Sequence, residues 1–571
     1  MSTQTTAPEA IKTVASSDFK GIDTKPNFAD NMRPEFKFHQ PETTHTGYKI
    51  TPVQKGLPKQ TKSLCPECSQ VIDALIFEED GQVFMEKRCA EHGEFRDKIY
   101  SDVKLYLKME KWHFGDNRGL SNPNIPDAKN CPDQCGLCSM HQSHTALANV
   151  DLTNRCNLTC PVCFANANAA GTLYEPSFAE IRKMLQALRN ERPVACRVVQ
   201  FSGGEPTTYP RWFDVLRLAK EMGFSHIQAA TNGILMSDLE FAQKSAEAGL
   251  QTLYLQLDGV TDDIYKKVRG ESLLDKKLKT IENCKKTGMK IVFVPTIVKG
   301  VNDHQIGDIV KLALDNIEVM SGISFQPVAF TGRINRNELL EKRFTQADLA
   351  HCVSDQTGLT DKYNDWFPLA CVTPFSKLLG ALRGEEVPTM SCHPHCSLGT
   401  YLFVDQNSRT AIPITRFFDV GNALQDMYEL AEKREGGSIF GKFVNEKLGQ
   451  FGAFSALKRH FHEEFAPPGL GFTKFLQTLQ GFTDKSKGRN GMDGVYTYRT
   501  LLVAGMHFMD HYNYDVERVR RCLIHYAAPN GQIYPFCAYN SGPTFREHIE
   551  KKYSIPFEKQ IDLMQIEGIK A

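Results

Sequence analysis

The stretch ALANVDLTNRCNLTCPVC, residues 146–163, joins a predicted β-strand to three cysteines with C-x3-C-x2-C spacing. Three thiolates at this spacing, Cys156, Cys160 and Cys163, can bind three irons of a cubane cluster and leave the fourth iron open. An open iron allows a cluster to bind a further molecule. A zinc site or a ferredoxin-like site remains the alternative for this spacing alone, so the sequence that follows has to decide.

After these cysteines, residues 148–333 alternate six times between short strand-like segments and amphipathic helices. The pair HIQAATNG and LEFAQKSAEAG is typical, because the first is a short apolar run and the second has apolar residues at helical spacing. Short connections between such units imply a parallel sheet. We therefore predict an α/β fold built on a partial (β/α)6 TIM-like barrel, with functional residues at the carboxyl ends of its strands.

The composition limits the classes of function. The chain has 571 residues and 41% apolar composition, enough for two or three domains, and its 67 basic residues balance 67 acidic ones. This balance argues against a protein that coats nucleic acid, so we expect no nucleic-acid partner. The polar N-terminal segment and the lack of any run of 18 apolar residues predict a cytoplasmic location without a membrane-spanning helix.

The 17 cysteines point to reduced thiols and metal ligation, since nothing suggests export to an oxidising compartment. Cys196, Cys284 and Cys352 stand apart from the clustered cysteines. We interpret them as core residues.

The chain divides into five predicted regions. These are a flexible arm (1–60), a small metal module (61–110), an auxiliary iron–sulfur segment (111–147), the barrel (148–333) and a C-terminal auxiliary-cluster and substrate-binding domain (334–571).

The metal module places the knuckle Cys65-Pro-Glu-Cys68 before a predicted hairpin, ALIFEEDGQVFMEKRC, that ends in Cys89. Two such knuckle cysteines beside a hairpin resemble half of a rubredoxin or zinc ribbon, so the metal is one iron or one zinc ion. His92 or a remote cysteine would complete the site. A structural metal is favoured over electron transfer.

A second C-x3-C-x2-C motif, CPDQCGLC, precedes the barrel and supplies Cys131, Cys135 and Cys138. A fourth ligand would make it a closed auxiliary cluster. Without a fourth protein ligand, an iron or sulfide could bind a reaction intermediate. His141 and His144 follow the motif and either lie near it or cap the connection into the barrel.

A third group of cysteines follows the barrel: Cys371, Cys392, Cys396, Cys522 and Cys537. We predict one [4Fe–4S] cluster here with one cysteine to spare. His393 and His395, inside the motif CHPHC, are either ligands or hydrogen-bond donors to sulfur.

Five motifs in the barrel region, NRCNLTCPVC, SGGEPTTYP, ATNG, LYLQLDG and VPTIVKGVND, resemble the radical S-adenosylmethionine enzymes in order and spacing. In that family three cysteines hold a [4Fe–4S] cluster that binds S-adenosylmethionine and cleaves it to a 5′-deoxyadenosyl radical. The resemblance implies that Cys156, Cys160 and Cys163 are the catalytic cluster ligands. It also implies cofactor contacts by Gly203, Gly204 and Glu205 to the methionine amine, and by Asn232 and Asp258 to the ribose or the substrate. Val162 departs from the aromatic residue common at its position.

The cysteine-rich segments outside the barrel resemble one archaeal group, the tetraether lipid synthases, which is also labelled as pterin dimethyltransferases. The resemblance implies coupling of the terminal methyl carbons of two archaeol phytanyl chains. The cofactors it implies are S-adenosylmethionine, one [4Fe–4S] cluster that cleaves it, two auxiliary [4Fe–4S] clusters and one mononuclear iron or zinc ion. The expected partners are an archaeal diether lipid, a low-potential ferredoxin or flavodoxin type donor and the inner membrane face. The alternatives are a radical methyltransferase acting on a pterin and a non-enzymatic iron–sulfur carrier.

Residues 436–480 carry eight phenylalanines among lysines and arginines. Such a segment could line a long apolar channel or rest on a bilayer surface. An ordinary buried helical core is the competing interpretation.

Overall fold

The computed structural model describes residues 32–33, 35–115, 118–163, 165, 167–168, 171–331, 339–435, 452–483, 498–543 and 545–556. The strands, in chain order, are β1 Lys59–Leu64, β2 Val71–Glu79, β3 Gln82–Cys89, β4 Gly93–Tyr100, β5 Leu147–Thr153, β6 Thr172–Tyr174, β7 Val198–Gly203, β8 His226–Thr231, β9 Thr252–Leu255, β10 Lys290–Phe293, β11 Thr296–Ile297, β12 Met320–Pro327, β13 Phe367–Pro368, β14 Ser397–Asp405, β15 Ala411–Pro413, β16 Tyr498–Met506, β17 Ile524–Ala527, β18 Ile533–Pro535 and β19 Ser554–Pro556.

The helices, in chain order, are α1 Val103–Lys111, α2 Phe178–Arg189, α3 Trp212–Glu221, α4 Leu239–Ala248, α5 Asp262–Arg269, α6 Leu274–Thr287, α7 Ile306–Asp315, α8 Leu339–Lys342, α9 Gln346–Thr357, α10 Thr373–Arg383, α11 Val420–Glu435, α12 at residues 452–459, α13 Phe472–Thr483, α14 Val516–Arg520, α15 Phe536–Ser541 and α16 Phe545–Tyr553. Helix α2 shows why these segments are helical. Ser177 and Glu180 form a capping box at its start, and its apolar residues face the core.

The six predicted barrel strands are β5, β7, β8, β9, β10 and β12, and they run parallel and adjacent in that order. This confirms the predicted α/β partial barrel. The helix α5, between β9 and α6, was not predicted from the sequence.

Two strands from beyond residue 334 extend this sheet. Strand β16 pairs in parallel with β12, and strand β17 pairs in parallel with β5, so both edges of the six-strand unit are covered. Strands β14 and β18 then continue the sheet in antiparallel fashion. The barrel and the predicted C-terminal region therefore share one sheet, and the division at residue 333 remains a sequence-based prediction.

The barrel sheet has an apolar outer face and a polar inner face. In β5, Val150 and Leu152 pack in the main core together with Ile181 and Leu185 of α2. The alternate residue Asp151 points to the opposite face, because side chains alternate along a strand. Asp151 therefore lies on the inner face of the barrel.

The metal module is a four-stranded antiparallel sheet in the order β1, β2, β3, β4. The predicted hairpin is present as β2 and β3, and its turn residues Asp80 and Gly81 both have positive φ, 51° and 74°. A two-residue turn of this kind matches the twist of the strands it joins.

Part of the predicted flexible arm, residues 1–60, makes specific contacts. The rings of Phe36 and Phe38 each lie 5.7 Å from the ring of Phe114 and pack on Tyr428. Both phenylalanines are half-buried, and aromatic packing of this kind stabilises a docked segment, so this part of the arm belongs to the folded body. Residues 1–31 lie outside the described part of the chain.

The phenylalanine-rich segment packs as a core where the structure describes it. Phe461 and Phe475 are buried in one apolar cluster, whereas Phe454 keeps 43% of its surface exposed. Residues 436–451 lie outside the described part. Within the described ranges, no helix has both the length and the apolar composition to cross a bilayer.

Candidate functional site

The three cysteines after β5 share one loop that packs against α5 and α6. Cys160 is 8% exposed and contacts the apolar side chains of Leu158 and Leu273, with Cys156 and Cys163 beside them. Burial, together with the neighbouring Glu205 carboxyl and the Cys160 and Cys163 thiols, raises the pKa of Cys156 to about 12. Three thiolates in such a pocket require a positive centre between them, and an iron–sulfur cluster provides one, so the donor set fits this group.

Asn168 fixes the start of this loop. Its Oδ1 accepts a hydrogen bond from the Cys156 backbone nitrogen at 3.1 Å, and its Nδ2 donates to the carbonyl oxygens of Cys156 and Leu158. Asn168 itself adopts a left-handed backbone conformation with φ of 63°, which asparagine tolerates. The loop conformation is therefore set by side-chain contacts that its sequence spacing does not reveal.

Gly203 and Gly204 bring the end of β7 against the backbone that leads into the cysteine loop. The Gly204 nitrogen donates to the Thr153 carbonyl at 2.7 Å. A Cβ at Gly203 would lie 2.2 Å from the Thr153 oxygen, and one at Gly204 would lie 2.1 Å from the Arg155 oxygen. Only glycine permits this approach. The glycines thus hold two strand ends together, and their predicted contact with the methionine amine remains a prediction.

Glu205 connects the ends of β7 and β8. Its carboxylate is 1% exposed and accepts hydrogen bonds from the hydroxyl groups of Thr207 and Thr231 and from the Asn232 backbone nitrogen, at 2.5, 2.7 and 2.8 Å. Burial raises the pKa of the Glu205 carboxyl. The Asn232 side chain in turn donates to Oδ1 of Asn157, inside the cysteine loop, at 2.6 Å.

Asp258 faces a partner that the sequence reasoning missed. Both carboxylate oxygens accept from Arg269, through Nε and Nη2, at 2.8 Å. The remaining guanidinium nitrogen, Nη1, donates to the Val162 carbonyl at 2.8 Å, and the guanidinium also hydrogen-bonds the Cys160 thiol. Asp258 therefore supports the cysteine loop through Arg269, and its predicted contact with ribose or substrate stays untested.

Lys277 is a second cation that the sequence reasoning missed. Its side chain is fully buried and its Nζ donates to the carbonyl of Asn232. Burial lowers the pKa of Lys277 to about 8. The lysine lies in an ordinary-looking amphipathic helix, α6, so the local pattern carried no signal for it.

Four of the five cysteines after the barrel lie together. The electrostatic neighbours of Cys522 include Cys537 and Cys396, and those of Cys392 include Cys396 and Cys522. Cys371 is also a neighbour of Cys392, but it packs in a separate apolar cluster. Four of these thiols are thus linked as neighbours and Cys371 adjoins Cys392, so the identity of the spare cysteine stays a prediction.

Orphaned donors beside this group fit an iron–sulfur cluster. Arg518 hydrogen-bonds the Cys396 thiol, and its Nε is buried without a partner among the described residues. The same holds for Nε2 of His507, whose backbone nitrogen donates to the Cys396 carbonyl at 3.0 Å. Sulfides of a cluster accept such hydrogen bonds. His395 points away, because its Nε2 lies 3.2 Å from Glu110.

Cys131, Cys135 and Cys138 form the remaining group, and Cys522 is an electrostatic neighbour of Cys135. Burial raises the pKa of Cys131 to about 12, and Arg520 donates a hydrogen bond to its thiol. The ring nitrogen Nε2 of His141 lies 3.0 Å from the Cys522 carbonyl. The two groups outside the barrel are therefore neighbours through Cys522.

The metal module brings Cys65, Cys68, Cys89 and His92 within 4.8 Å of one another. The Cys68 and Cys89 sulfurs are 3.9 Å apart, and Nδ1 of His92 lies 3.5 Å from the Cys89 sulfur. A tetrahedral zinc ion with about 2.3 Å bonds to sulfur and about 2.0 Å bonds to nitrogen requires nearly these separations. The residues fit one tetrahedral ion, and His92 is the fourth donor that the sequence left open.

Comparison with known proteins agrees with this arrangement. Residues 150–313 match the family model of the radical SAM superfamily, and residues 57–101 match the HMPTM N-terminal zinc ribbon domain. A Methanocaldococcus jannaschii protein named 7,8-dihydro-6-hydroxymethylpterin dimethyltransferase is 42% identical over 90% of this chain and 99% of its own length.

More distant matches cover a smaller share of this chain. A Clostridium acetobutylicum GTP 3′,8-cyclase is 26% identical over 40% of this chain and 72% of its own length. A structure of Streptococcus suis SuiB bound to S-adenosylmethionine is 17% identical over 52% of this chain and 67% of that chain, with a TM-score of 0.30.

Proposed function

This chain belongs to the radical SAM family that includes the M. jannaschii protein, and from that premise we propose that it methylates a reduced pterin. When bound, a [4Fe–4S] cluster and S-adenosylmethionine would supply hydrogen-atom abstraction from an unactivated carbon, and a second S-adenosylmethionine molecule would supply the methyl group. The name of the 42% identical relative supports the pterin as substrate. It supports this alternative better than the lipid coupling that the sequence resemblance had favoured.

The polar inner face of the barrel is the observation that carries this proposal. Asp151 lies on β5, just before the cysteine loop. It is 3% exposed and accepts a hydrogen bond from Ser202 at 2.6 Å. It also accepts from Nη1 of Arg546 at 2.8 Å. Asp151 and Arg546 make this part of the barrel wall polar, so a polar heterocycle could share hydrogen bonds with it, whereas a saturated hydrocarbon chain could not.

The chain's own residues contribute binding and orientation. Glu205, Asn232 and the two glycines fix three strand ends around the cysteine loop, so that a bound cofactor and substrate meet in one geometry. Holding two reactants in this way lowers the entropic part of the barrier.

Coupling of archaeal diether lipids is the second candidate, because Phe454 stays exposed and packs on Phe472, at the edge of the apolar cluster that buries Phe461 and Phe475. This apolar edge would contact a bilayer surface or admit a phytanyl chain. On either function we propose two auxiliary [4Fe–4S] clusters, a ferredoxin or flavodoxin type donor and, for the lipid, peripheral contact at the inner membrane face.

One anaerobic experiment separates the two substrates. The reconstituted protein is incubated with S-adenosylmethionine, a reductant and either 7,8-dihydro-6-hydroxymethylpterin or archaeal diether lipid, and the products are read by mass spectrometry. The proposal predicts a methylated pterin and unchanged lipid. A coupled tetraether with unchanged pterin would replace the first candidate by the second.

A further inference from the structure

Three amide side chains form a row across the inside of the barrel. Asn149 of β5, Gln200 of β7 and Gln228 of β8 are direct neighbours in the strand register. Nε2 of Gln228 donates to Oε1 of Gln200, and Nε2 of Gln200 donates to Oδ1 of Asn149, both at 2.7 Å. All three are at most 7% exposed.

Such a row is unusual for a barrel interior. The interior of a closed barrel is ordinarily filled by branched apolar side chains. Here apolar side chains cover the outer face of these strands instead, and the amides occupy the inner face. Buried amides are retained where every polar atom finds a partner. Any atom of the row without a partner in the protein is therefore a candidate contact for a bound molecule.

The row ends in one unused donor. Because Oδ1 of Asn149 accepts from Gln200, the Asn149 amide presents Nδ2, and this atom is buried without a hydrogen-bond partner in the described part of the chain. Asn149 itself is 1% exposed. An acceptor atom on a bound molecule would satisfy this nitrogen.

A second polar level lies between the row and the cysteine loop. Asp151 is two residues further along β5 than Asn149, which corresponds to about 7 Å along the strand. Nη2 of Arg546, beside the Asp151 carboxylate, is also buried without a partner among the described residues. A molecule bound against β5 would thus meet a neutral donor at one level and a charged pair at the next.

We propose that this row binds the polar edge of a flat nitrogen heterocycle, with Nδ2 of Asn149 donating to a ring carbonyl oxygen. This inference rests on the proposed function, since the pyrimidinone edge of a pterin carries such a carbonyl. The chained amides hold Asn149 in one orientation, so the row selects an acceptor at that position. A hydrocarbon chain offers no acceptor to it.

The test compares two ligands on the reconstituted full-length protein with S-adenosylmethionine present. The first is 7,8-dihydro-6-hydroxymethylpterin, and the second is its analogue in which the ring carbonyl is replaced by an amino group. Wild-type protein is expected to bind the carbonyl compound about tenfold or more tightly, because a site built around a hydrogen bond rejects the analogue that lacks it. Equilibrium binding by pterin fluorescence measures both constants.

Two variants of matched size make the outcome specific. Asn149→Asp replaces the free donor by an acceptor, so its preference should reverse toward the amino analogue. Asn149→Leu removes both atoms and should bind the two compounds equally. Unchanged S-adenosylmethionine binding by each variant shows that the barrel is folded.

The outcomes separate this inference from the proposed function. Suppose that the wild type methylates the pterin and both variants keep its preference for the carbonyl compound. The amide row then does not recognise the ring carbonyl, and this inference is wrong although the proposed function stands. If the wild type binds neither pterin but couples lipid, the proposed function fails and the inference falls with it.

Discussion

Arg269 and Asp258 form a buried two-point ion pair, in which Nε and Nη2 of the guanidinium each lie 2.8 Å from a carboxylate oxygen. Asp258 follows β9, and Arg269 ends α5 and reaches the Val162 carbonyl and the Cys160 thiol. The pair therefore connects a strand end of the barrel to the cluster-binding loop. Neither residue type alone would have revealed this, because the contact depends on how α5 crosses the barrel mouth.

Breaking this pair should destabilise the barrel. Asp258→Asn leaves the buried Arg269 charge without its partner, and removing one member of a buried pair costs about 3–5 kcal/mol. We expect an earlier anaerobic unfolding transition and a lower iron content after reconstitution. Asp214→Asn, in the exposed pair with Arg217, is the control and should change neither quantity measurably. Equal behaviour of the two variants would contradict the supporting role.

Gly204→Ala should displace the cysteine loop. The added Cβ would lie 2.1 Å from the Arg155 carbonyl oxygen, so one of the two backbones must move. We expect the electron paramagnetic resonance signal of the reduced radical-SAM cluster to be lost or strongly reduced, with zinc or iron in the metal module unchanged. Gly452→Ala, where the nearest atom is 3.5 Å away, should leave the signal intact.

His92 should determine metal retention in the N-terminal module. His92→Ala removes one of four donors and should lower the bound mononuclear metal from about one per chain, measured by elemental analysis after mild chelation. His92→Cys supplies an alternative donor and should restore binding. Full metal retention by His92→Ala would show that the fourth ligand lies elsewhere.

Glu191 should make stability depend on pH. Burial raises the pKa of this carboxyl from about 4.5 to about 8, while Thr145 donates to it at 2.5 Å. The folded protein holds this proton more tightly than the unfolded chain does, so the protonated carboxyl stabilises the folded state. This stabilisation is fully present below pH 4.5 and is lost as the pH rises to about 8. The wild type should therefore lose up to about 1.4 kcal/mol per pH unit relative to Glu191→Gln in this window.

Unfolding free energies of the two proteins at several pH values measure that difference. Parallel curves for the wild type and Glu191→Gln would show that the carboxyl is ionised in the folded protein.

The sequence predicted the parts of the fold that depend on local pattern. Six alternating strands and helices and the Asp80-Gly81 turn were found where their periodicity and turn residues indicated them. Strands β16 and β17 were not placed, because their partners β12 and β5 are distant in the chain and no local signal encodes that pairing. Arg269, Lys277 and the amide row were missed for the same reason.

Cysteine spacing was an incomplete guide. The two C-x3-C-x2-C motifs are alike in spacing, yet only Cys156, Cys160 and Cys163 follow a barrel strand whose end meets Gly203 and Gly204. The group of Cys131 instead lies beside Cys522, nearly 400 residues later. Context in the fold, rather than spacing, distinguishes the two.

We propose that the loop of Cys156, Cys160 and Cys163 carries the cluster that cleaves S-adenosylmethionine. The most direct test is the rate of 5′-deoxyadenosine formation, measured anaerobically with dithionite for the reconstituted wild type and for Cys160→Ala. We expect steady formation by the wild type and none above background by Cys160→Ala, with the metal-module ion retained in both. Equal rates for the two proteins would contradict the assignment.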